Sequence, residues 1–355
     1  MKTKLKVGLL VAVQSILVTA FGEIWEGTKT FGSDSTITEP VTLSGEVTVF
    51  VAAGKSVVVT GVIDGSGSFV KTGAGTLELQ AQNTFAGDAT LLEGFLLVRP
   101  KDNVVYSTAL GQGTVIIGGQ TDSYSGDCTL KLYGRKHADK DFTTTTLSIA
   151  NPIHVTGNTT KDYPAVVFYY QNVVLTGKVT ADQDFYFYDD YVTSGEIYST
   201  VSSRGSAVLS ATFGEMDVAG TLANDGYCAF SFAGKVKAPV VDFGTKFRNT
   251  TKWGGGNSNR GAHYHFQQEN EIGTLVTGLE ESAGNRIVWA EGSSSFPGTL
   301  FRHVSEKAGQ IYWSHRTIHV GGLENEPAAQ LDPTKGNAPG ALNGSATFKV
   351  GSADP

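Results

Sequence analysis

GSGSFVKTGAGTLELQAQNTFAGDATLLEGFLLV, residues Gly65 to Val98, decides the fold. Pairs of apolar residues, Leu77/Leu79 and then Leu96/Val98, alternate with glycine-rich and Asn-Thr corners. Strands this short cannot each bury a face alone, so they must stack on copies of themselves. The pairs recur outside the stretch as well: Val57/Val59, Leu77/Leu79, Leu96/Val98 and Val115/Ile117 start 20, 19 and 19 residues apart. This spacing predicts one coil of a solenoid every 19–20 residues, with Val59, Leu79, Val98 and Ile117 in a single file inside it.

Composition agrees. The 355 residues include 44 Gly and 10 Pro with abundant Thr, Ser and Val, which favours many short strands and turns over helices. An all-β chain is expected. A net charge of −7 argues against nucleic acid as a general partner.

The same 34 residues carry a family resemblance. The pattern is Gly65-x-Gly67, Phe69, Lys71-x-Gly73-x-Gly75-Thr76-Leu77-x-Leu79, Asn83-Thr84-Phe85-x-Gly87, Thr90-Leu91 and Gly94-x-Leu96-x-Val98. It resembles the autotransporter-associated β-strand repeat of exported bacterial passenger proteins, departing from it at Asp88-Ala89 and at Phe95. The resemblance implies a right-handed parallel β-helix and a secreted or cell-surface life. It brings no catalytic residues and no cofactor.

Lys2, Lys4 and Lys6 followed by the apolar run Val7 to Val18 read as a secretory signal peptide, with Val18-x-Ala20 or Gly22 at the cleavage site. The expected division is a signal peptide over 1–22, a β-helix over 23–320, and a Pro/Gly-rich tail or final coil over 321–355. No transmembrane segment is expected in the mature chain. Ile24-Trp25 and Phe31 are expected to cover the open end of the first coil. The corners at Gly73, Gly75 and Asn83 call for positive φ or side-chain-to-backbone bonding. Beyond residue 119 the regularity loosens and aromatic residues become frequent, predicting a less uniform cross-section. Arg135 to Asp141 and Thr250 to Gly261 read as protruding loops.

Several constellations bear on chemistry. Asp182, Asp184 and Asp189 flank the aromatic run that holds Tyr186 and Tyr188. Aromatic faces and carboxylates together suit a glycan groove or a calcium site, while the alternation also suits a strand with one buried face. His263/His265 and His315/His319 have metal-compatible spacing, yet the sequence fixes no third ligand. Cys128 and Cys228 are 100 residues apart, about five coils or roughly 24 Å at 4.8 Å per coil, too far for a disulfide. No nucleophile elbow or phosphate-cradling loop occurs.

The functional expectation is an exported, non-enzymatic structural or adhesin-like module that meets host-surface or matrix glycans or proteins. Two alternatives use the same scaffold. One is a carbohydrate-binding module. The other is a polysaccharide-active enzyme that joins Asp182, Asp184 and Asp189 with Arg204.

Overall fold

The computed structural model describes residues 22–100, 108–118, 126–134, 147–160, 162–169, 173–189, 209–225, 229–243, 262–277, 286–290, 296–303, 310–313, 318–325, 342–343 and 348–350. Among them the regular elements are all β-strands, joined in parallel into one 22-stranded and one 8-stranded sheet. The chain climbs as a parallel β-solenoid. Along one wall Thr28 pairs with Thr48, and then Val70, Thr90, Ile116, His154, Thr180 and Asp217 follow, each one coil further on. Along a second wall Ile37, Val59, Leu79, Val98, Leu132 and Phe168 stand in file. The 8-stranded sheet adds a third wall from Leu147–Ile149 onward, through Val173–Leu175, Leu209–Phe213, Ala229–Phe232 and Ala262–Phe266.

The predicted file holds for Val59, Leu79 and Val98 and fails for Ile117. Ile117 lies in the first wall, paired with Leu91, and Leu132 takes the place beside Val98. Coil length is the reason. The step from Leu79 to Val98 takes 19 residues and the next, from Val98 to Leu132, takes 34. Extra residues between Val98 and Val115 and again between Ile117 and Cys128 delay the return, and the 19-residue spacing of Val115 from Leu96 is a coincidence of loop length.

Alternate residues face inward. In the second coil these are Val41, Leu43, Val47, Val49, Val51, Val57 and Val59, each at most 2% exposed. Each such side chain contributes roughly 1.5–3 kcal/mol before chain entropy is counted. Once the third wall enters, the interior turns aromatic. Phe168 meets Phe213 edge-on at 5.6 Å, and Phe213 stacks on Phe232 at 5.4 Å. A wider cross-section needs larger side chains to reach crystal-like packing density.

Buried amides tie coil to coil. Asn83 accepts a hydrogen bond from the Ile63 N–H at 2.8 Å and donates to the Ala109 carbonyl at 2.6 Å. Asn224 donates to the Phe187 carbonyl and accepts from the Tyr264 hydroxyl. A satisfied amide at a corner replaces ladder bonds that the turning backbone leaves unmade.

At the first coil Trp25 is 1% exposed and leans on Phe31, with ring centroids 6.0 Å apart. Ile24 instead faces out and is 61% exposed, so the expected apolar cover is made by Trp25 and Phe31 without it. Residues 1–21, with most of the expected signal peptide, lie outside the described residues. At the far end Ile318–Asn325 runs across the expected boundary at 320, and Phe348–Val350 pairs with Ile318 to Val320.

Candidate functional site

The repeat residues build one corner. Thr76, Leu77 and Leu79 lie in strand Thr76–Leu79, paired with Ser56, Val57 and Val59 below and with Phe95, Leu96 and Val98 above. Gly73 turns the chain into that strand with φ of 75°, and Gly94 repeats the turn one coil on with φ of 73°. The coils approach so closely there that a Cβ on Gly94 would stand 2.5 Å from the carbonyl oxygens of Gly73 and Gly75. Thr84 and Gly87 donate their amides to the carbonyls of Ile63 and Gly67.

Lys71 occupies an inward position between Val49 and Leu91 and is 0% exposed. Its ammonium donates to the carbonyls of Thr72, Gly73 and Glu93 at 2.9, 2.7 and 3.0 Å. Burial pushes its pKa down to about 8, while the Glu93 carboxylate works the other way. The ammonium acts here as an internal clamp.

The carboxylate–aromatic run is spread over a turn and a strand. Asp182 and Asp184 sit on the turn before Phe185–Asp189. Asp182 is exposed and lies 3.0 Å from His154 Nε2. Asp184 is half-buried: its Oδ1 accepts the Thr221 N–H at 2.6 Å, and its carbonyl accepts the Thr159 hydroxyl at 2.6 Å. The Tyr186 N–H in turn donates to Thr159 Oγ1. Tyr186 is only 5% exposed and Tyr188 is half-buried beside Val167. Asp189 pairs with Phe168 through its backbone, and its side chain lies outside the described residues. Asp184 and Tyr186 are thus joined in a corner network, whereas Asp182 points to a neighbouring coil.

The same outer wall carries residues that linear spacing does not bring together. Tyr133 stacks on Tyr169 at 4.3 Å, and the Arg99 guanidinium lies 4.4 Å from the Tyr133 centroid. Lys131 sits 3.3 Å over the Phe95 ring, and Arg99 lies 3.5 Å from Glu78. Tyr188 belongs to this wall through Val167, the partner of Lys131. The result is an aromatic and cationic strip over five successive coils. Successive members are between 19 and 36 residues apart in the chain, so only the unequal coil lengths would have revealed it.

The first wall is ionic instead. Lys178 lies 2.7 Å from Glu215 and 3.8 Å from Asp217, Asp217 lies 3.7 Å from Lys237, and Lys235 bonds Glu271. The hydrogen bond to Glu215 raises the Lys178 pKa, and the one to Lys235 lowers that of Glu271. A shallow crease of about 370 Å³ runs past Asp217, Lys237, Pro239 and Glu271, with Asp217 paired to Lys237 and Glu271 to Lys235.

Cys128 is a buried thiol that donates to the Leu91 carbonyl, and Cys228 lies outside the described residues. His265 is half-buried, while His315 and the side chains of His263 and His319 lie outside them. So do Arg204 and the loops Arg135 to Asp141 and Thr250 to Gly261. Among the described residues no group of three His, Cys, Asp or Glu is placed to hold a metal ion, and no helix is long and apolar enough to cross a membrane.

Parallel coils stacked around one continuous buried core define a β-solenoid repeat protein. Over 98 residues, 26% of this chain, it is 40% identical to "Adhesin BmaC autotransporter" of Brucella suis biovar 1 (strain 1330). The chain spans 3% of that adhesin's length. The likeness supports kinship with an autotransporter adhesin over that quarter of the chain. No family model and no solved structure matches.

Proposed function

We propose that this chain is an exported, non-enzymatic, adhesin-like solenoid module that works at or outside the cell surface. The observation that carries the reading is the parallel coil stack joined to the partial likeness to an autotransporter adhesin. Such a rod holds side chains at a fixed interval, so weak contacts along it add through effective concentration. Host-surface or matrix glycans and proteins are the partners it is suited to. The aromatic and cationic strip around Tyr133, Tyr169 and Tyr188 supplies ring and cation chemistry of the kind found at interface hot spots.

Binding of the labelled protein to host-cell layers and immobilised matrix tests this. Saturable binding that tightens when the protein is clustered on beads supports it, and no binding to any surface would remove it. On a glycan array, loss of a signal on Tyr188→Ala would move the reading toward a carbohydrate-binding module. New unsaturated or reducing ends after incubation with acidic polysaccharides would make it an enzyme.

Export rests on the basic and apolar first 20 residues, with the first described strand beginning at Glu23, just past the expected cleavage site. Mass measurement of the protein recovered outside the cytoplasm tests it. A mass lacking 20 to 22 N-terminal residues is expected.

A further inference from the structure

The first coil carries an ion pair at inward positions that later coils fill mostly with aliphatic side chains. Register with Val41–Val51 puts Glu23, Trp25, Gly27, Lys29 and Phe31 at the positions held one coil later by Val41, Leu43, Val47, Val49 and Val51. Two of these five are charged. Glu23 and Lys29 meet across the coil at 3.1 Å, with side chains 52% and 27% exposed. Among the described residues, strand Glu23–Phe31 pairs with Val41–Val51 alone, so no described strand lies on its other edge.

We infer that the Glu23–Lys29 ion pair is a lid that closes this end of the solenoid to a coil from a second copy of the chain. An apolar row here would continue the interior upward and leave a strand edge ready to accept another strand, which is the usual route to edge-to-edge association. Charged side chains at inward positions block that route unless main-chain carbonyls take the charge, as three do for Lys71 in the same file as Lys29. A coil laid on top would strip water from both ions and leave them against aliphatic neighbours. Trp25 and Phe31 keep the core dry beneath, and the ion pair keeps the top wet.

The test replaces the lid in the full chain and follows self-association by sedimentation velocity across a hundredfold range of concentration. Glu23→Val with Lys29→Val, and separately the near-isosteric Glu23→Gln with Lys29→Met, should each associate at least tenfold more tightly than the native protein. Exchanging the charges, Glu23→Lys with Lys29→Glu, should leave sedimentation as in the native protein. Either neutral variant sedimenting like the native protein while folded would overturn the inference. So would association of the charge-exchanged variant.

Discussion

The ammonium of Lys71 donates to the main-chain carbonyl of Glu93, 3.0 Å away and one coil further on, while the Glu93 carboxylate accepts the Gly73 N–H at 2.8 Å. Each residue therefore holds the other's corner. Removing the lysine leaves three buried carbonyls without their donor. Lys71→Met should cost about 2–4 kcal/mol in urea unfolding. Its pKa of about 8 in the folded chain lies below the ordinary lysine value, so the unfolded state binds more protons between about pH 8 and 10.5. Native stability relative to Lys71→Met should then rise with pH across that window, by at most about 3 kcal/mol, and the gain should be absent below it.

Gly94 and Gly45 both have positive φ, 73° and 70°, but only Gly94 is crowded. A Cβ at Gly45 meets nothing within 4 Å. Gly45→Ala should therefore cost only the left-handed strain, about 1–2 kcal/mol. Gly94→Ala should cost about 1–3 kcal/mol more, because two coils must part. Thermal unfolding of the two variants makes the comparison.

Leu79 lies between Val59 and Val98 and is 1% exposed. Leu79→Ala should destabilise by about 2–5 kcal/mol, read by denaturant titration. Coils support only their neighbours, so hydrogen exchange should quicken first in the strands holding Val59 and Val98.

Lys178, Glu215 and Lys235 alternate in sign along the first wall, one coil apart. Lys178→Glu sets like charges in register with Glu215. The melting temperature should fall at low ionic strength, and the deficit should shrink as salt is raised, because these side chains are solvent-exposed.

The sequence made the fold class legible because each early coil repeats the same inward pairs, and Val59, Leu79 and Val98 declare that repeat directly. It hid the later register because solenoid coils tolerate loops of any length outside the walls. Leu132 follows Val98 by 34 residues, so no fixed period finds it. Some strands carry little signal in the sequence: Thr221–Asp225 ends in Asn and Asp, and Phe296–His303 contains Pro297 and Gly298, all poor strand formers. The run from Asp182 to Asp189 is visible as chemistry, but its division between a turn and a largely buried strand depends on neighbours 27 to 37 residues away. Arg99, Tyr133 and Tyr169 were ordinary residues until stacking placed them together.

Spin-label distances along the first wall test the stack most directly. Thr28 and Thr180 are six pairings apart, and Asp217 is one further although 37 residues separate it from Thr180. At about 4.8 Å per coil, pulsed electron paramagnetic resonance should give roughly 29 Å for the Thr28–Thr180 pair and roughly 34 Å for Thr28–Asp217. Distances that fail to grow by a single coil spacing, or that scatter without order, would contradict the continuous parallel solenoid.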